Sequence, residues 1–338
     1  MTRAAHNQSR EEGLTLVELM VSMAIGLVLM TAVYTVFISS SDSYKRLEGL
    51  ASIQERGRIA MNLLQNLIQS ADYTGCRSSL TINNLLTTSQ YEYNFGVGIE
   101  GYNSTGTGWI PALPTGTPAP IPSPLAAGGD IITIRGPVGN PVQLTAAMAN
   151  NTSTLAVPTG SPFVQNDILM IGNCAGGADI FQKTDSGGSA VTTVAHAASG
   201  LNSVANLSAA YGTEAMVVKV GTVSIFVRTN TRGIRSLWWK EGTANAEEIL
   251  EAVDAMEVLY GITTNTDTSA NRYLTADAVA DWSRVVSIRI ALLVATDKPV
   301  LRVPETSSHD LLGTTYTFTD QRQRRVFMTN IVLRNRSF

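Results

Sequence analysis

Glu18 is the first residue that invites a chemical reading, because it is the only charged residue between Leu14 and Ile38. A carboxylate inside an apolar run costs roughly 2.5–3.5 kcal/mol at mid-membrane and less near the edge. An anchor with no other task would carry Leu there, so the segment reads as an anchor that also uses a charge. Cys76 and Cys174 come next. Outside the cytoplasm an oxidising compartment favours their pairing. A loop of that length gains roughly 4–5 kcal/mol in chain-entropy terms. Two unpaired buried thiols are the alternative. Metal binding by two such distant Cys without a nearby His is not expected.

The inventory for catalysis is thin. His6, His196 and His309 are far apart, and the chain has no GxSxG, HExxH or P-loop motif. Asp277 and Asp281 stand at helical spacing, which more often marks a solvated face or a cap than a catalytic dyad. Gly96-Val97-Gly98-Ile99-Glu100-Gly101 matches GxGxxG after a weak strand at Tyr91 to Phe95. The segment that follows, up to Trp109, will not open the helix that dinucleotide binding requires. Ile262 to Asn271 holds Asp267 but no calcium-loop pattern. No enzyme, cofactor or metal is expected.

The elements that position Glu18 are helical. Leu14 to Ile38 spans roughly 37 Å as a helix, enough to cross a hydrocarbon core of about 30 Å. A cleavable secretory signal has a shorter core, and Ser39-Ser40-Ser41-Asp42 is a poor cleavage match. A plain signal anchor on an unrelated domain is the other simple reading. Beyond Ile38, Leu47, Leu50, Gly57, Ala60, Met61, Leu64, Leu67, Ile68 and Ala71 repeat at three- and four-residue steps among charged residues. The first proline is Pro111. One helix of about 55 residues is predicted, apolar all round in its first half and amphipathic over 39–75. Gly49 and Gly57 read as soft points in it. Tyr73-Thr74-Gly75-Cys76-Arg77 ends it.

A Pro/Gly-rich loop is expected over about 96–129, densest from Pro111 to Gly129. Short β-rich runs follow: Asp130–Arg135, Ile168–Gly172, Asp179–Lys183, Ala190–Ala195, Ala215–Thr229, Ile234–Trp239, Met256–Gly261, Arg284–Ala295 and Arg324–Arg334. Val223 to Lys240 reads as a hairpin turning at Asn230-Thr231-Arg232-Gly233. Ser283 to Val294 is the strongest strand and should be central. Ala246 to Val253 reads as one short helix. Trp238 and Trp239 should point to opposite faces, the outward one marking a contact surface or a rim. Charged residues make up 15% of the chain and the net charge is −3. Such a composition suits a secreted surface protein and gives no support to nucleic-acid binding. The dense basic cluster Arg322-Gln323-Arg324-Arg325 reads as an exposed strand entry.

Gly13, then Leu14-Thr15-Leu16-Val17-Glu18-Leu19-Met20, resembles the processing site of type IV prepilins. Two departures are Leu14, where most members have Phe, and Glu11-Glu12 before the Gly. The segments Met256–Gly261, Arg272-Tyr273, Ala276–Val279 and Trp282–Leu293, the Tyr-x-Gly before Cys76 and the final Arg325–Asn335 strand look like PilW-type minor pilins. The resemblance implies an α+β fold in which the long helix packs on an antiparallel sheet domain with an inserted loop region. It divides the chain into a leader (1–13), a transmembrane and assembly segment (14–38), the amphipathic helix half (39–75) and a periplasmic β-rich domain (76–338). It implies cleavage between Gly13 and Leu14 by the prepilin peptidase, methylation, insertion in the inner membrane, then assembly through the helix with other minor pilins and the major pilin. A role in priming the pilus and a place at its tip follow, with a large tip adhesin as a further partner. Glu18 becomes the fifth mature residue, able to pair with a neighbour's N-terminal cation. A type II secretion minor pseudopilin and a membrane-anchored adhesin share parts of this logic.

Overall fold

A computed structural model describes residues 15–73, 82–87, 90–122, 129–173, 177–187, 192–265 and 269–336. The opening helix, Leu16–Gln69, has 54 residues, about 80 Å of rise. It stops at Ser70, whose hydroxyl donates to the Leu67 carbonyl at 2.7 Å, and the chain then turns through Asp72 at φ 54°. The carbonyls of Gln69 and Ala71 each accept from Asn335 Nδ2 at 2.9 Å. A residue near the far end of the chain thus caps acceptors that a helix end leaves open. The helix ends a few residues before the expected Tyr73–Arg77 segment, of which Tyr73 alone is described.

The helix packs on a four-stranded antiparallel sheet ordered Arg272–Leu274, Val253–Ile262, Val285–Ala295, Arg324–Val332. Val285–Ala295 is an inner strand, and both of its faces are covered, which explains its near-continuous apolar run. Ile288, Ile290, Leu292 and Val294 join Ile53, Ala60, Leu64 and Ile68 of the helix in one core. On the opposite face, Ala291 and Leu293 pack with Ala255 under the hairpin Glu305–Leu311/Thr314–Asp320. That hairpin is absent from the strands expected above. Its sequences, ETSSHDL and TTYTFTD, put Thr306, Ser308, Thr317 and Thr319 on the outer face, and the apolar part of the inner one is only Leu311, Tyr316 and Phe318. Leu312 and Gly313 turn it with φ of 54° and 101°, the double positive φ of a tight hairpin turn that matches strand twist.

The larger sheet is organised by Met216–Thr229. Its first residues pair with Ile168–Gly172, and from Val220 onward it pairs with Ile131–Pro137. On its other side it forms the expected hairpin with Arg235–Glu241. Ile99–Ser104 continues the sheet beyond Ile131–Pro137. All described pairings are antiparallel except Ile82–Asn84 with Ala178–Gln182. Ile132, Ile134, Val223 and Ile225 close the core shared with the helix. A second core, with Leu155, Phe163, Leu169, Phe181 and Leu207, fills a lobe built mainly from residues 142–217.

Several expectations are corrected. The region 96–129 is not one loop: it holds the strands Ile99–Ser104 and Trp109–Ile110. Ala246 to Val253 is not helical. Glu247–Glu251 is a strand paired to Arg235–Glu241, because an available sheet edge overrides the helix propensity of Glu and Leu, worth only about tenths of a kcal/mol per residue. Tyr91–Tyr93 is a single 3-10 turn, not a strand. Trp238 and Trp239 do face opposite ways, but each is half-buried over its own core cluster, so neither stands out as a contact surface.

Candidate functional site

The first half of the helix touches nothing in the domain. Its large apolar side chains from Leu16 to Phe37 are all between 49% and 76% exposed, and the first buried position is Gly49. The segment is long and apolar enough to cross a membrane. Its hydroxyls are satisfied within the helix: Ser22 donates to the Glu18 carbonyl, Thr31 to Leu27 at 2.8 Å and Thr35 to Ala32 at 2.8 Å. Back-bonding of this kind removes the polar cost of placing Ser and Thr in an apolar environment.

Glu18 sits in the first turn and forms a capping box with Thr15. Glu18 N–H donates to Thr15 Oγ1, and Glu18 Oε2 accepts from Thr15 N–H and from Thr15 Oγ1, each at 3.3 Å. A carboxylate at a helix N-terminus is also favoured by the helix dipole. Only Oε2 is engaged among the described residues, so Oε1 remains available to a further cation. Gly13, Leu14, Cys76 and Cys174 lie outside the described residues. The chain on either side of the two cysteines does converge: Tyr73 packs on the cluster that contains Ile168 and Met170.

The second half of the helix is its seat. Gly49, Ile53, Gly57, Ala60, Leu64 and Ile68 form the buried stripe. Gly49 and Gly57 are close-approach positions, not soft points. A Cβ at Gly57 would lie 2.3 Å from Phe327 Cζ, and one at Gly49 would lie 2.9 Å from Thr296 Cγ2. Leu47, expected on the buried stripe, is 66% exposed, and Ile53 takes its place fully buried, because the close-approach glycines Gly49 and Gly57 set the contacting face. Arg56 holds the seat at its rim through Asp297 at 3.3 Å.

The basic cluster beside this seat is not a solvated strand entry. Arg324 is buried, donating from Nε to Asp254 Oδ2 at 2.7 Å and from Nη2 to Asp320 Oδ2 at 2.5 Å. Asp254 is 2% exposed. Arg325 alone is exposed. The network ties Val253–Ile262 to the start of the last strand. The carboxylates of Asp254 and Asp320 supply what the local sequence around Arg324 could not show.

Asp130 joins the two sheets. Its carboxylate accepts from Ser104 N–H at 2.8 Å and from Val258 N–H at 2.9 Å, and its own N–H donates to the Met256 carbonyl at 2.8 Å. Burial, then the nearby Glu257 carboxylate, hold its carboxyl up at about 7. Burial also raises Glu257, which accepts from Tyr316 and from Thr314 at 3.1 Å. These groups are structural in placement, facing backbone amides and hydroxyls. Asp281 accepts from Ser283 N–H at 3.0 Å and from its hydroxyl at 2.6 Å, a local cap. His196 faces the Ala205 and Ser153 carbonyls, and His309 faces Ser307. No group of three or more His, Cys, Asp or Glu able to hold a metal occurs among the described residues.

Residues 8–34 match the prokaryotic N-terminal methylation motif, and residues 224–335 match the family model of type IV pilus-assembly protein W. No curated protein and no solved structure gives a match. The first match covers the exposed half of the helix. The second covers the Trp238–Trp239 hairpin, the covering hairpin and the four-stranded sheet on which the helix sits. The two matches therefore fall on the two parts of one structural unit, and over these residues the chain is similar to type IV pilus-assembly protein W and to proteins that carry the prokaryotic N-terminal methylation motif.

Proposed function

We infer that the protein is a minor pilin of a type IV pilus, cut between Gly13 and Leu14 by the prepilin peptidase, methylated, and active in priming pilus assembly and in the tip complex. The observation that carries this is the wholly exposed apolar half-helix continuous with a firmly seated second half. Such a face is stable only in lipid or against other apolar helices. The helix first anchors the protein in the inner membrane, with the domain 76–338 in the periplasm, and then packs on other minor pilins and the major pilin. A large tip adhesin is a further partner. The protein acts as a structural subunit, without a catalytic centre.

Glu18 sets the axial register. After cleavage the N-terminus at Leu14 is a cation in an apolar bundle. Each charge alone is costly there, and pairing between subunits recovers much of the penalty. The Thr15 capping box keeps the carboxylate at the helix start and leaves Oε1 for the neighbour. The test is Glu18→Leu. The variant inserts and is cleaved, yet fails to co-purify with partner subunits and fails to restore piliation. Normal co-purification and piliation would remove Glu18 from this role.

A further inference from the structure

Where the helix leaves the sheet, a cavity of about 240 Å³ opens between the helix and the covering hairpin. Arg46 and Leu50 of the helix, Glu305 and His309 of the hairpin, and Arg322 and Arg324 at the entry of the last strand line it. The volume equals that of about eight waters at about 30 Å³ each, ample for a tetrahedral anion. Arg324 is already spent on Asp254 and Asp320. Arg322 is not. Its Nε donates to the Thr296 carbonyl at 2.5 Å and its Nη1 stands 3.6 Å from Asp254, but Nη2 is buried without a hydrogen-bond partner. A buried charged donor left unmade is costly and asks for an acceptor. Arg46 has no ionic partner among the described residues, and the one acid lining the cavity, Glu305, bridges to neither arginine. Gln323, which also lines the cavity, has a buried amide oxygen without a partner. Half a turn of that amide presents a donor in its place.

Position along the helix suggests where the anion comes from. Arg46 lies eight residues beyond Ile38, the end of the apolar run, which is about 12 Å along the axis. With Ile38 at the edge of the hydrocarbon, the cavity faces the headgroup layer, within reach of an extended arginine. The adjoining loop packs Val300 against Gly49 and exposes Lys298, Arg302 and Val303 on the same rim. Basic side chains at that height are drawn to an anionic leaflet.

We propose that this cavity is a phosphate-binding site, filled by the headgroup phosphate of an anionic phospholipid while the helix is still in the membrane. Arg46 and Arg322 Nη2 supply the charge-assisted donors, Gln323 a third, and Leu50 and Leu301 the apolar wall for the glycerol backbone. The lipid source rests on the membrane-inserted reading above; the phosphate chemistry does not. The full chain in neutral detergent, washed with phosphatidylglycerol or phosphatidylcholine and weighed by native mass spectrometry, reads lipid retention. Calorimetric titration with inorganic phosphate reads the site itself. The expected result is selective retention of phosphatidylglycerol, weakened about tenfold by Arg46→Gln or Arg322→Gln, tightened by Glu305→Gln, and competed by inorganic phosphate. Arg46 is exposed on the helix, so its variant keeps the fold even if Arg322→Gln does not. Equal retention of the two lipids, with arginine-dependent phosphate binding intact, would overturn the lipid source. Phosphate binding that is absent, or unchanged by Arg46→Gln, would overturn the site, whatever the helix does in the membrane.

Discussion

Gly57→Ala separates the two meanings of a glycine in a helix. In an open helix the change is favourable by about 1 kcal/mol, because Ala loses less backbone freedom on folding. At Gly57 the added Cβ would meet Phe327 Cζ at 2.3 Å and its two Cε atoms at 2.4 Å. Ordinary carbon contact begins at about 3.5 Å, so the ring tip must withdraw by more than about 1 Å. Phe327 lies opposite Leu292 on the last strand and packs half-buried against the main core, so its withdrawal loosens that packing. Overpacking of this size costs about 1–3 kcal/mol, which outweighs the propensity gain and leaves a net loss of about 1 kcal/mol. Gly26 supplies the control, since nothing lies within 4 Å of the Cβ it would gain. Denaturant unfolding of the full chain in detergent reads both variants. Phe327→Leu in the Gly57→Ala background should recover part of the loss, giving a coupling of about 1 kcal/mol in a double-mutant cycle. A gain in stability from Gly57→Ala like that expected for an open helix would refute the close-approach reading of the seat.

Three further outcomes follow from other parts of the structure. Asp130 is held at about 7 in the fold against about 3.9 unfolded. Between pH 4 and 7 the folded state keeps a proton that the unfolded chain releases, so this contribution is full below pH 4 and is lost as pH rises to 7. Asp130→Asn should flatten the unfolding free energy across that window by an amount on the order of 4 kcal/mol, and an unchanged slope would contradict the assignment. Asp254→Ala strands two buried or half-buried guanidiniums and should cost about 3–5 kcal/mol in denaturant unfolding; a loss near zero would mean that Arg324 is solvated after all. Cys76 and Cys174 should be joined in periplasmic material, with Cys76→Ser costing about 2–5 kcal/mol; free thiols in a non-reducing peptide map would end that expectation.

Much of the architecture was legible because it rests on period and punctuation. The helix length followed from a proline-free apolar run that passes into three- and four-residue steps, and Val285–Ala295 showed itself inner through a run that only double burial tolerates. What failed were features set by partners distant in sequence. Glu247–Glu251 looks helical until Arg235–Glu241 offers it an edge. The hairpin at Glu305–Asp320 hides its three anchors among threonines and serines. Gly49 and Gly57 read as weaknesses, since periodicity counts side chains and cannot see Thr296 or Phe327 filling the space a side chain would occupy. Arg324 read as solvated because Asp254, 70 residues away in sequence, completes its pair. For the site, Glu18 was legible as a lone charge in an apolar run. Its capping partner Thr15 stands three residues before it, the spacing of a capping box, a signal masked here by the apolar run that surrounds both residues.

Processing at Gly13–Leu14 underlies every later step proposed for the protein, and it is read from the mass of the N-terminal peptide of protein recovered from membranes. The predicted result is a chain beginning at Leu14 and carrying one added methyl group, with Gly13→Val leaving the full-length precursor in the inner membrane. A mature pool that retains residues 1–13, or a Gly13→Val variant that is cut and assembled as before, would contradict it.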